Sequence, residues 1–159
     1  MTEPKAHLEI SEDNLALMQE YAENNDEPIV MVNLMQVRDT AQYEDDSAPI
    51  CSGSEAFERY NKGSAEVRKE SGAKLIWSGK AQLMPIGPSE KAWDMVALVW
   101  YPNAQAYLTM KATEAYQAAR AHRRAALRDS RLIMTTPNLH PSKTLHSPLS
   151  IWLGGWQTT

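Results

Sequence analysis

Residues Trp93 to Pro102 read Trp-Asp-Met-Val-Ala-Leu-Val-Trp-Tyr-Pro, and no other stretch restricts the fold so strongly. Successive side chains of a strand point to opposite faces, so Met95, Ala97, Val99 and Tyr101 look one way while Val96, Leu98 and Trp100 look the other. Both sets are apolar. A sheet built around such a strand has to be covered on both faces. Ile29 to Val37 repeats the pattern, apolar on both sides with one interruption at Asn33.

The remaining elements follow from caps, stops and periodicity. Ser11, followed by Glu12 and Asp13, opens a short helix over about 12–23, with Leu17, Met18 and Tyr21 as a narrow apolar stripe. Arg38 to Gly53 is polar and reads as a long surface loop of the kind used for lids or left mobile. Ser52 and Glu55 form a capping-box pattern for a helix running to about Ser71, with Gly72 as its left-handed stop. Lys74 to Ile86 alternates like a strand, with Leu75 and Trp77 on one side, and the turn from Gly87 to Lys91 pairs it antiparallel with the run ending at Pro102. A helical region from about Asn103 to Arg128 follows, with a break or kink at Thr113 and an inner stripe approximated by Tyr107, Leu108, Ala115, Ala119, His122 and Ala126. Arg131 to Thr136 is a last short strand.

The order strand, helix, strand, strand, helix, strand predicts an α+β fold, the ferredoxin-like βαββαβ sandwich with two helices on one face of a four-stranded antiparallel sheet. The chain of 159 residues reads as a single domain: an N-terminal helical extension over 1–28, a ferredoxin-like core over 29–137, and a C-terminal tail over 138–159. The tail carries Trp152 and Trp156, so it is expected to dock, with a partner subunit as the surface. Two helices cover one face of the sheet and the N-terminal helix is too narrow for the other. Sheet-to-sheet pairing of two copies is therefore expected, against the alternative of a monomer whose tail folds back.

A net charge of -4 argues against sequence-independent binding to nucleic acid or an anionic membrane, which needs clustered positive charge. No stretch approaches the ~20 apolar residues of a membrane span, and the first ten residues hold no apolar signal core. The single cysteine, Cys51, allows no internal disulfide, and a cytoplasmic location is the expectation. The four histidines make no compact ligand set, and phosphate-cradling or dinucleotide glycine motifs are missing, so neither metal nor cofactor is expected.

Val32-Asn33-Leu34, Tyr60, Gly72, Tyr101-Pro102, Glu114 to Ala119, His122-Arg123 and Asp129 to Leu132 together resemble the domain of unknown function 1330 family of the dimeric alpha-beta barrel superfamily, over about 29–136. The first helix, the acidic loop and the tail exceed that family's usual compact length. The resemblance implies a homodimer whose sheets pair into a barrel. Its wider relatives include cofactor-free monooxygenases, small-molecule isomerases and enzymes that degrade lactones or aromatics, besides members without demonstrated activity; fold alone does not choose among them.

Candidate site residues are the polar or aromatic exceptions to these patterns. Asn33, an amide in an apolar strand, needs a ligand or backbone partners. His122 suits a general base near neutral pH, although a helical histidine is more often structural. Arg123, by the resemblance, and Arg38, by its position after the first strand, are candidates for an anionic substrate group. Tyr60, Trp77 and Trp100 suit the walls of a flat apolar cavity, although aromatics at such spacings are more often core. The expected function is cofactor-independent proton transfer or oxygenation of a small aromatic or acidic compound, with His122 moving the proton and Asn33 and Tyr60 holding an enolate-like oxygen. The alternative is a non-catalytic dimeric binding or interaction protein.

Overall fold

The computed structural model describes residues 6–45, 50–87 and 93–138. The elements are α1 (Glu12–Asn24), β1 (Ile29–Val37), α2 (Gly53–Gly63), α3 (Ala65–Glu70), β2 (Lys74–Lys80), β3 (Met95–Tyr101), α4 (Ala104–Ala112), α5 (Glu114–Ala126) and β4 (Leu127–Thr135). The four strands form one antiparallel sheet in the order β2-β3-β1-β4. With α2 and α3 as one helical layer element and α4 and α5 as the other, this is the ferredoxin-like βαββαβ arrangement, preceded by the extra helix α1.

Register explains the two faces. Ile29 lies opposite Tyr101, Met31 opposite Val99, Asn33 opposite Ala97 and Met35 opposite Met95, and this set points to the helices. Ile29, Met31, Met35 and Tyr101 are buried there. Val30, Val32 and Leu34 lie opposite Trp100, Leu98 and Val96 on the outer face, with Ile133 of β4 beside them. No helix covers this outer face among the described residues, and Ile133 remains 49% exposed.

Local chemistry sets the helix boundaries. Ser11 caps α1 by accepting from the Asn14 amide, and the Ser52–Glu55 capping box opens α2. Gly72 ends α3 with φ 76°, a conformation glycine adopts without a Cβ clash. Thr113 does break the second helical region: its backbone is extended, its Oγ1 donates to the Met110 carbonyl at 2.8 Å and accepts from the Tyr116 amide at 3.2 Å. The break resets the helical phase. Ala119 and Ala126 are buried as the sequence stripe expects, but Tyr116 is buried in place of the exposed Ala115, and His122 is only half-buried.

Two strand boundaries differ from expectation. β4 starts at Leu127, four residues early, because Arg128, Asp129 and Ser130 are polar residues on an edge strand whose outer side bonds to the N-terminal segment rather than to a core. β2 stops at Lys80, its last partner being Met95; Leu83 and Ile86 beyond it are 71% and 94% exposed. Of the loop after β1, the described parts lie along the end of α5 rather than over the sheet. Thr40 bridges Ser52, the Ala41 amide donates to the Cys51 carbonyl, and the Arg38 and Gln42 amides donate to the Ala126 and Ala125 carbonyls, which pins it to the end of α5. The expected docking of the tail over 139–159 concerns residues outside those described.

Gly53 is where this loop passes the start of β4. A Cβ there would lie inside contact distance of the Arg38 carbonyl oxygen and 2.9 Å from the Ala126 carbonyl oxygen, both backbone atoms that cannot swing aside. Gly53→Ala is expected to lower the unfolding free energy by about 1–3 kcal/mol, as overpacking does. Urea unfolding followed by circular dichroism measures this, and an unchanged midpoint would contradict the tight crossing.

Candidate functional site

A cavity of about 780 Å³ lies between the helix-facing side of the sheet and the helices. Met31, Asn33, Met35, Ala97 and Val99 form its floor, Phe57, Tyr60, Tyr107 and Tyr116 its wall, and His7 to Ile10 with α1 its rim. The wall depends on a close helix crossing. A Cβ at Gly63 would stand 3.2 Å from the Ala119 Cβ, so α2 and α5 meet through small residues there. That approach sets Tyr60 against Tyr116, with ring centroids 6.3 Å apart and hydroxyl oxygens 3.4 Å apart.

Five phenols line the space, Tyr21 from α1 and Tyr60, Tyr101, Tyr107 and Tyr116. Tyr101 and Tyr107 pack edge to face at 5.3 Å, and the Tyr101 hydroxyl donates to the Met110 sulfur at 3.8 Å. Burial, the largest influence, pushes the Tyr101, Tyr107 and Tyr116 hydroxyls up from their ordinary value, and neighbouring phenols add to it. Arg68 opposes the shift at Tyr101, and Arg123 opposes it at Tyr107 and Tyr116. All three therefore remain neutral hydrogen-bond donors near neutral pH. The Tyr107 ring is buried, while its hydroxyl has no hydrogen-bond partner among the described residues.

Asn33 is half-buried in the floor. Its Nδ2 donates only a long bond to the Met31 carbonyl at 3.4 Å, and its Oδ1 accepts none from a described residue. Arg123 donates to the Leu8 carbonyl at 2.9 Å and to Ser130 Oγ at 3.3 Å. Arg68 donates to the Asn61 and Ser64 carbonyls at 2.9 and 3.3 Å, and its guanidinium stands 5.7 Å from the Tyr60 ring centroid. Neither arginine pairs with a carboxylate among the described residues, whereas Arg120 and Arg124 hold Glu9 at 3.3 and 3.9 Å. The cavity thus presents uncompensated positive charge beside neutral donors and apolar surface.

Of the residues named from the sequence, Asn33, Tyr60 and Arg123 meet in this cavity. His122 does not line it; its Nδ1 is 2.8 Å from the Tyr43 hydroxyl, on the side of α5 next to the loop after β1. Arg38 is also outside, its Nε donating to the Leu127 carbonyl at 3.0 Å. Trp100 lies opposite Val30 on the outer face. Trp77 would have shared the face of Leu75 in an unbroken strand, but the register shifts between Leu75 and Trp77, which turns Trp77 to the outer face opposite Leu98. Its ring comes close to Gly79 there, where a Cβ would be 2.6 Å from the indole.

Tyr107, Tyr116, Arg68 and Glu9 are cavity residues that the sequence reading did not single out for the site. Tyr116 and Arg123 had a signal. Taking Thr113 as an N-cap puts Tyr116, Ala119 and Arg123 at i, i+3 and i+7 on one face. Arg68 and Glu9 had none, since both are charged residues in polar surroundings. Among the described residues no three His, Cys, Asp or Glu side chains come together as a metal site, and no helix is long and apolar enough to cross a membrane.

Sheet order and helix placement define a ferredoxin-like α+β protein with a cavity between its layers. The chain belongs to the family described as domain of unknown function (DUF1330), whose model matches residues 51–136. It is 34% identical to a protein of unknown function from Rhodopseudomonas palustris, RPA0582, whose crystal structure superposes with a TM-score of 0.78 over 86% of this chain and 100% of that one. The methylated form of RPA0582 gives 35% identity and a TM-score of 0.79 over 87% and 98%. SnoaB from Streptomyces nogalater, a cofactor-independent oxygenase, is 13% identical with a TM-score of 0.47 over 75% of this chain and 100% of that one. Comparison with curated proteins gives no match.

The rim is anchored by Asp129. Partial burial raises its carboxyl, but this is outweighed by bonds from the His7 amide at 2.8 Å, Arg131 at 2.7 Å and the Ser130 amide at 2.9 Å, so its pKa is depressed. A depressed folded-state pKa contributes stability that is present above the unfolded value of about 3.9 and lost as pH falls through the folded one. Asp129→Asn is therefore expected to destabilise the protein at pH 7, with the difference from the parent shrinking as pH drops below about 4. Paired urea titrations across pH measure it; a difference independent of pH would rule out the carboxylate as the cause.

Proposed function

We propose that this chain is a homodimer that binds a small organic anion with an apolar, aromatic body in the cavity between sheet and helices. One observation carries this reading: Arg68 and Arg123, without carboxylate partners among the described residues, converge with neutral phenols on one space of about 780 Å³. A guanidinium fork suits a carboxylate or phenolate oxygen, and its charge acts strongly where water is partly excluded. Met31, Phe57 and Tyr116 supply the apolar surface for the ligand's body.

The chemistry that such a site suits is cofactor-independent proton transfer or oxygenation. The Tyr60–Tyr116 pair, the Tyr107 hydroxyl and the Asn33 amide would hold an enolate-like oxygen with preorganised neutral donors, and Arg123 would hold the acid group. His122, turned to Tyr43, has no part in this reading. The rival is a binding protein without turnover. Oxygen uptake, or incorporation of solvent deuterium into a bound ligand, separates the two.

Binding itself is tested by calorimetry with aromatic carboxylates and their neutral amides. Carboxylates are expected to bind more tightly, and Arg123→Met to weaken them roughly tenfold, about 1.4 kcal/mol. Equal affinity for acid and amide would overturn the reading.

The outer face supports the dimer. Val32, Leu34, Leu98, Trp100 and Ile133 form an apolar surface, and Trp77 is 48% exposed on it. Covering such a face stabilises by roughly 25 cal/mol per Å² of apolar surface removed from water. Light scattering at micromolar concentration should give twice the chain mass, and Leu98→Asp should give the monomer with its helical signal retained. A parent protein that runs as a monomer would sink sheet pairing.

A further inference from the structure

Arg68 and Arg123 address opposite ends of the cavity floor. Arg123 is tied to Ser130 Oγ, and Ser130 lies opposite Met35 near one end of β1. Arg68 of α3 stands over Tyr60, and the stop of α3 at Gly72 packs against Pro102, next to Tyr101, which lies opposite Ile29 at the other end of β1. From Ile29 to Met35 the strand advances about 20 Å at ~3.3 Å per residue. The Tyr60–Tyr116 pair stands between the two cations: Arg68 covers Tyr60, and Arg123 acts on Tyr116.

Each guanidinium has five N–H donors in a planar fork. Two hydrogen bonds tie each one to neutral oxygens, the Asn61 and Ser64 carbonyls for Arg68, the Leu8 carbonyl and Ser130 hydroxyl for Arg123. These bonds hold the forks in place without cancelling their charge. Glu9, a carboxylate on the rim, is engaged by Arg120 and Arg124 instead. A single acid group could satisfy only one end and would leave the other guanidinium without an anion in a partly apolar space.

The geometry points to a ligand with two acid groups: a rod-shaped aromatic dianion with one acid on Arg123, the other on Arg68 and its body along the Tyr60–Tyr116 wall. This names the ligand class of the cavity proposed above and rests on that anion-binding reading.

Calorimetry on the full chain with biphenyl dicarboxylate, acids at opposite ends, is compared with its monomethyl ester and its dimethyl ester. The dianion is expected to bind at least roughly tenfold more tightly than the monoester, the gain from a second charge-assisted fork. In Arg68→Met and in Arg123→Met, each first checked for an unchanged thermal melt, that advantage should disappear. If dianion and monoester bind the parent protein equally while both exceed the diester, the two-ended site is wrong and the anion-binding reading stands. If the monoester binds no better than the diester, and the dianion no better than either, both fall. The ester series on the parent protein decides the matter even where a variant fails to fold.

Discussion

The alternation of β1 and β3 is the constraint from which the rest of the molecule follows. Their paired residues are apolar on both faces, so the two middle strands cannot tolerate water on either side. On one side the helices supply cover, but they meet the sheet as a rim and wall rather than as a filled core, which leaves the cavity. On the other side the described chain supplies nothing. A single hydrophobic pattern thus leaves a cavity on one face of the sheet and an apolar surface on the other.

Cavity character comes from the few polar groups left open among many that are satisfied. Most buried polar atoms in proteins find partners within the fold. Here the Asn33 amide has one long bond, the Tyr107 hydroxyl has no partner among the described residues, and two arginines are held by carbonyl and hydroxyl oxygens rather than carboxylates. Burial keeps the phenols protonated, so donors and positive charge dominate over acceptors. Such a lining favours oxygen-rich, negatively charged molecules over amines or cations.

Much of the architecture was legible from residues whose role is local. Ser11, Ser52 with Glu55, Gly72 and Thr113 act through their own backbone neighbourhood, and the boundaries they mark were found where expected. Departures arose where partners distant in sequence decided. β4 begins early because β1 and the N-terminal segment bond to Asp129 and Ser130, and β2 ends early because β3 begins only at Met95. The candidate site was readable in part for the same reason. Asn33 and Tyr60 violate or punctuate a strong pattern, whereas Trp77 was misassigned by one bulge at Ile76, and His122 by a helical phase that Thr113 had already reset. Arg68 owes its position to the α2–α3 joint at the fully buried Ser64, which no composition or spacing rule announces.

The bulge beside Ile76 has one more effect. By turning Trp77 outward to join Trp100, it leaves Phe57 and tyrosines as the aromatic residues of the cavity wall and puts two tryptophans on the opposite side of the sheet. The two faces are therefore optically labelled by different amino acids. Events between the layers act first on tyrosine absorption and near-ultraviolet dichroism, while events on the outer face act first on these two indoles.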